Sequence, residues 1–317
     1  MKRYLISLIV SLWLVSCLRG RAPTVATATG TATATATPTA AATAAPPTST
    51  SASPPTPTTD TRLPPERWQE WPVIPQPSAR MRAIYQQGLA AGRDAHRFSK
   101  IGDCQNVDTY FLSAFDHPGE YSLGEQYAYL QPTIDQFAGS WSRKSLAVKG
   151  GMNVASVLSP LWADPASCQA GETPLACEIR RHNPSLAIIS METWWGKKPA
   201  ETYEAYLRQV VEYLLHQGIV PILATKADNL EGDYSINAAI ARVAYDYDVP
   251  LWNFWAAVQP LPNHGLSSDG FHLTFARNFF DDPQRMQSAW PWRNLTALQA
   301  IDAVWRALSQ PNERNTP

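Results

Sequence analysis

The chain carries almost no net charge. Its 26 basic and 27 acidic residues leave −1 over 317 residues, so its electrostatics offer no argument for nucleic acid or an anionic membrane surface as a partner. No internal repeat divides it. Histidine is scarce, with six residues at no ligand spacing, and two of the four cysteines, Cys168 and Cys177, lack the close pairing that zinc favours. A metal site is therefore not expected, and nothing calls for a cofactor. The apolar run Leu5 to Val15 is too short to span a bilayer as a stable helix. What remains, 44% hydrophobic and 17% charged residues, is the composition of a globular protein.

Residues 1–17 combine Lys2 and Arg3, that apolar run, and Leu14-Val15-Ser16-Cys17, the pattern of a targeting segment. The ending resembles the lipobox of bacterial lipoproteins, in which Cys17 becomes the lipidated first residue; the alternative is an ordinary signal peptide. Either places the mature chain outside the cytoplasm, where disulfides persist. Residues 18–65 read as a linker. Ala, Thr, Pro and Ser fill nearly every position, and no charge occurs between Arg21 and Asp60. Such a segment cannot bury enough apolar surface to offset its chain entropy, so disorder and a tether's role are expected. Residues 66–310 suit one domain, and 311–317 read as a flexible tail.

Within 66–310 short apolar runs alternate with helical patterns. Leu186 to Ser190, Ile219 to Ala224 and Val249 to Phe254 suit buried strands. Tyr203, Leu207, Val210, Val211 and Leu214 recur at helical spacing, as do Ile236, Ile240, Val243 and Tyr247, and then Leu295, Leu298, Ile301, Val304 and Leu308. Alternation of this kind predicts a parallel sheet covered on both faces, a three-layer α/β/α sandwich of flavodoxin-like type. Pro221 must sit where its missing N–H is harmless.

Two stretches carry chemistry. In FSKIGDCQ, Phe98 to Gln105, a buried strand runs into Gly102-Asp103-Cys104. Cys104 is then expected at the carboxyl end of a strand, where α/β sheets bind ligands, and near a helix N-terminus that favours a thiolate. In SSDGFHLT, Ser267 to Thr274, Asp269 stands three residues before His272. One loop can hold that carboxylate against the imidazole, leaving the other ring nitrogen to take a proton from a nucleophile.

Together these stretches resemble the GDSL/SGNH hydrolase family over roughly residues 98–308. The resemblance implies an ester hydrolase with Cys104 as nucleophile, His272 as base and Asp269 as its orienting partner. It further implies an oxyanion hole from the N–H groups of Cys104 and Gly151. The family's nucleophile is serine, so Cys104 is one departure. The third block is another: Met191-Glu192-Thr193-Trp194-Trp195 puts Trp194 where the family has an asparagine donor, and Asn153 is the candidate substitute. Asp103, Glu192, Trp194 and Trp195 are expected to line the cleft.

Cys168 and Cys177 flank a short loop and are expected to form a disulfide, leaving Cys104 free once Cys17 is lipidated. Twelve tryptophans offer aromatic faces for a sugar ring or an acyl group. Two functions follow: a membrane-tethered esterase or acylhydrolase acting on a small-molecule or glycan ester, or an inactive relative that binds a carbohydrate or acylated ligand.

Overall fold

The computed structural model describes residues 60–194 and 198–310. The targeting segment with Cys17, the linker up to residue 59, Trp195 and the tail 311–317 lie outside the described residues. Four parallel strands form the main sheet: β1 (Asp94–Gly102), β2 (Pro184–Ser190), β3 (Val220–Ala224) and β4 (Leu251–Trp252), hydrogen-bonded in that order. The last five residues of β1 and all of β2 and β3 are buried, which is why they read as unbroken apolar runs rather than alternating ones. β4 is shorter than the expected 249–254 stretch because Asn253 turns away to cap the short helix Phe254–Val258 through Ala256 N–H.

Beside β1, on the edge away from β2, Val148 makes a single parallel bridge to Gly102. The N–H of Gly102 donates to Ala147 (3.0 Å) and that of Lys149 to Gly102 (3.4 Å). The segment that follows β1 in sequence thus lies on one side of it and β2 on the other. Strand order reverses at β1, and in open α/β sheets the carboxyl ends of the strands at such a reversal are where ligands bind.

Pro221 sits inside β3, paired with Ala187. Leu223 and Thr225, on the same edge of the strand, donate to Pro250 and Trp252. Two residues earlier that edge has run past the start of β4 at Leu251, so no ladder bond is lost where proline has no N–H.

Five helices cover the sheet: α1 (Ala79–Ala90), α2 (Pro174–His182), α3 (Ala200–His216), α4 (Ser235–Tyr247) and α5 (Ala289–Ser309). α2 starts where Thr173 accepts from Ala176 N–H with Pro174 at its first position, and it ends at Asn183 in the left-handed conformation. Neighbouring β1 residues point to opposite faces. Phe98 packs on Phe137 and Trp141, and Phe137 on Trp305 of α5, whereas Ser99 donates to Glu178 of α2 at 2.6 Å. α5 and α2 therefore lie on opposite faces. α1 accompanies α5, and α3 accompanies α4. This is the three-layer α/β arrangement expected from the sequence. No helix among the described residues is long and apolar enough to cross a membrane.

Cys168 and Cys177 are bridged, their Cα atoms 5.3 Å apart, closing a loop onto the start of α2. Peptide mapping of the unreduced chain should recover these two as one linked peptide and should alkylate Cys104, the free cysteine among the described residues. Alkylation at Cys168 or Cys177 would contradict the bridge.

Candidate active site

The site begins where β1 runs out of room for side chains. A Cβ on Gly102 would stand 2.0 Å from Nδ2 of Asn106 and 2.5 Å from the carbonyl oxygen of Ser190. Into that space Asn106 sends its amide, which donates to Ser190 O at 2.6 Å. Asp103 adds a second tie. Its Oδ1 accepts from Gln105 N–H (3.0 Å), and its Oδ2 accepts from the N–H groups of Glu192 and Thr193 (2.7 Å each). The turn after β1 and the segment after β2 are thereby fixed to each other, so Asp103, expected in the cleft, is a buried structural pin. Gly102→Ala should cost about 1–3 kcal/mol by overpacking, read as a lower urea midpoint; an unchanged midpoint would show that the contact can relax.

Cys104 follows the pin, half-buried. Its thiol is pushed up to about 11, first by burial and then by the carboxylates of Asp103 and Glu192, against smaller opposing effects of its own N–H and Arg293. The helix that follows is a single turn, Cys104–Asn106, too short to carry a macrodipole. The thiolate expected from the sequence is thus disfavoured, and at neutral pH the sulfur keeps its proton.

The Asp269–His272 pair is local, as its spacing suggests. Gly270 takes the left-handed conformation, and Ser267 N–H donates to His272 O (2.7 Å), folding the loop on itself. Asp269 Oδ1 accepts from the N–H groups of Phe271 and His272 (3.0 Å each), while Oδ2 lies 2.6 Å from His272 Nδ1. The His272 hydrogen bond, followed by those two N–H groups, holds the Asp269 carboxyl down to about 2. An ionised carboxylate only accepts, so Nδ1 carries a hydrogen, and in the neutral ring Nε2 is the nitrogen left to accept one. The imidazole is 64% exposed.

No hydrogen bond joins Cys104 to His272. The two loops meet one residue away from each: the Gln105 amide donates to Phe271 O at 3.4 Å. Gly151, in the left-handed conformation with open space around its Cα, sits in the turn that Met152 N–H closes onto Lys149 O (3.0 Å). The Asn153 side-chain oxygen is occupied by Ala155 and Ser156 N–H (3.0 and 2.9 Å), whereas its amide nitrogen has no partner among the described residues.

Glu192 is buried beside Cys104, its carboxyl pushed up to about 7, chiefly by burial. Ser190 donates to Glu192 Oε1 (2.9 Å) and accepts from Arg293 Nη2 (2.9 Å). Arg293 Nη1 lies 3.0 Å from the same Oε1 without the alignment of a hydrogen bond, so the aligned link runs through Ser190. The guanidinium is enclosed by the rings of Phe111, Phe254 and Trp252 at 4.8, 4.9 and 5.5 Å. Trp194 turns its ring edge-on to Tyr203 at 5.6 Å, and its buried indole nitrogen has no partner among the described residues.

Among the described residues, the buried side-chain polar atoms without a partner gather at this end of the sheet. They belong to Gln105 and Asn106 after β1, to Glu192, Thr193 and Trp194 after β2, to Asp228 and Glu231 after β3, to Trp255 after β4, and to Arg293. A native core pairs such groups with protein or ordered water, and here they concentrate at the carboxyl edge of the sheet. Arg293, Ser190 and Gln105 were not singled out from the sequence. A charge on the otherwise apolar face of the closing helix was the available sign for Arg293.

No family model matches the chain, and no curated protein does. Among solved structures it is similar to a GDSL-like lipase from Bacteroides thetaiotaomicron. The two are 16% identical over 70% of this chain and 97% of the other, with a TM-score of 0.40.

Proposed function

We propose that the chain is an extracytoplasmic ester hydrolase held at a membrane through Cys17 and its linker, with Cys104, His272 and Asp269 as its reacting set. The observation that carries this reading is the Asp269-bound imidazole, its Nε2 without a hydrogen bond among the described residues, on a loop tied through Phe271 and Gln105 to the turn of Cys104. The Cys168–Cys177 bridge supports the compartment.

Because the thiol is protonated at rest, His272 works on it as on a serine. Nε2 takes the Sγ proton as sulfur attacks the ester carbonyl carbon. The alkoxide then leaves with that proton as alcohol, and an acyl thioester remains on Cys104. Water, deprotonated by the same nitrogen, attacks the thioester, and the carboxylic acid and the free thiol return. N–H groups of Cys104 and Gly151 and the amide of Asn153 are the donors offered to the oxyanion.

A second reading, a domain that binds an acylated or carbohydrate ligand without turnover, draws on Trp194 in place of a side-chain donor. A lost donor of this kind costs about 2.7–4 kcal/mol of transition-state stabilisation. Incubation with a short acyl ester, quenched in acid and mapped by mass, separates the two. One acyl group on the Cys104 peptide, absent from Cys104→Ala, supports the hydrolase. No turnover, or turnover equal in Cys104→Ala, removes it.

A further inference from the structure

We propose that a cavity next to the reacting loops, between Thr109–Ser113 and Phe275–Asn278, is a binding subsite for a neutral sugar ring. It has a volume of about 310 Å³, and its walls continue the two segments that carry Cys104 and His272. One wall is Thr109–Ser113, starting five residues after Cys104. The other is Phe275–Asn278, starting three residues after His272 and so within about 11 Å of it along the chain. α5 closes the cavity with Trp290 and Asn294.

Three rings meet there. Tyr110 stands edge-on to Phe275 at 6.0 Å and tilted over Trp290 at 5.5 Å. Tyr110 is 46% exposed and Phe275 64%, so the touching rings form an exposed aromatic patch rather than scattered surface residues. The scaffold holds them there against backbone preference. Leu112 adopts the left-handed conformation, uncommon for a branched side chain. Asn294 secures it by accepting Leu112 N–H at 2.8 Å while donating to Tyr110 O at 3.0 Å and to Asn278 Oδ1 at 2.8 Å. Such an over-determined loop is characteristic of a preformed binding surface.

The polar groups define the occupant. Ser113 Oγ and Asn278 Nδ2 have no partner among the described residues, and neither have the charged ends of Glu120 and Arg277. An acyl chain would cover these groups without satisfying them, which is costly. A polyol ring offers apolar C–H faces to the aromatic rings and hydroxyls to donors and acceptors alike. One acid and one base on the rim favour a neutral ligand over a charged one. Taking this sugar as the alcohol part of the ester rests on the hydrolase reading above; the binding itself does not.

The test is titration of the full chain with cellotetraose, xylotetraose and tri-N-acetylchitotriose, followed by calorimetry and by Trp fluorescence. At least one should bind saturably, and Phe275→Ala and Tyr110→Ala should each weaken it by about tenfold. Leu161→Ala, another exposed apolar residue (95%) outside the cavity lining, serves as the control and should leave binding intact. Binding that survives both cavity variants, or no binding of any of the three, overturns the subsite. So does saturable binding of decanoate that Phe275→Ala abolishes while the sugars stay inert. If a sugar binds through Phe275 but no ester is turned over, the subsite stands and the hydrolase reading falls. If short esters are cleaved through Cys104 and no sugar binds, the reverse holds.

Discussion

Replacing His272 with alanine is expected to lower kcat toward short acyl esters by about 10²–10⁴-fold without unfolding the chain, since the exposed imidazole is held mainly by Asp269 on its own loop. With its thiol pushed up to about 11, only about one Cys104 in 10⁴ is ionised at pH 7, so the wild-type enzyme depends on the base to remove the proton during attack. Without that base the residual rate should climb roughly tenfold per pH unit toward pH 10, following the thiolate fraction. Cys104→Ser gives the complementary outcome. If His272 acts as general base on a protonated nucleophile, serine remains usable and hydrolysis persists at a measurable level. If catalysis instead runs through a preformed thiolate, the serine variant is dead. Steady-state rates from pH 6 to 10 for the three proteins decide between these, and a His272→Ala enzyme as fast as wild type would end the assignment.

What the sequence disclosed is what is local. The Asp269–His272 pair spans four residues and the Cys168–Cys177 loop ten, so spacing alone is enough to suggest both. The strands were legible because sheets covered on both faces need continuous apolar runs. The surroundings of Cys104 were not legible, because they are assembled across the chain. Asp103 reaches N–H groups of Glu192 and Thr193 about ninety residues away, and Arg293 meets Ser190 across a hundred. The Gly-Asp-Cys run suggested a thiolate because a following helix was expected. Burial of the thiol comes first, then the neighbouring Asp103 carboxylate and the Glu192 carboxylate that folding brings up after β2, and the one-turn helix actually formed does not offset them. β4 stops short of the expected Val249 to Phe254 for a similar reason: apolar Phe254 extends the run, but the Asn253 cap has already turned the chain.

The second large effect is on stability against pH, where two buried groups oppose each other. Glu192, raised from 4.5 to about 7 by burial, keeps in the native state a proton that the unfolded chain releases above pH 4.5. The native state therefore loses stability as pH rises from 4.5 to 7, by roughly 3 kcal/mol. His182 runs the other way. Burial first, and then Arg143, lowers it from 6.5 to about 4, and its Nε2 lies 3.1 Å from Phe98 O. The unfolded chain takes a proton that the native imidazole refuses, so stability falls as pH drops from 6.5 to 4, again by roughly 3 kcal/mol. In the wild type these two contributions nearly cancel between pH 4.5 and 6.5. Single variants should expose each one. Glu192→Gln should become steadily less stable than wild type as the solution is acidified through that window. His182→Gln should become steadily less stable as it is made more alkaline. The slope is the proper readout rather than the absolute stability, because Glu192→Gln also changes the contacts with Ser190 and Arg293 in addition to the proton linkage. Urea midpoints at pH 4.5, 5.5, 6.5 and 8 give the slopes directly. Variants whose midpoints run parallel to wild type would mean that neither group changes its proton affinity on folding.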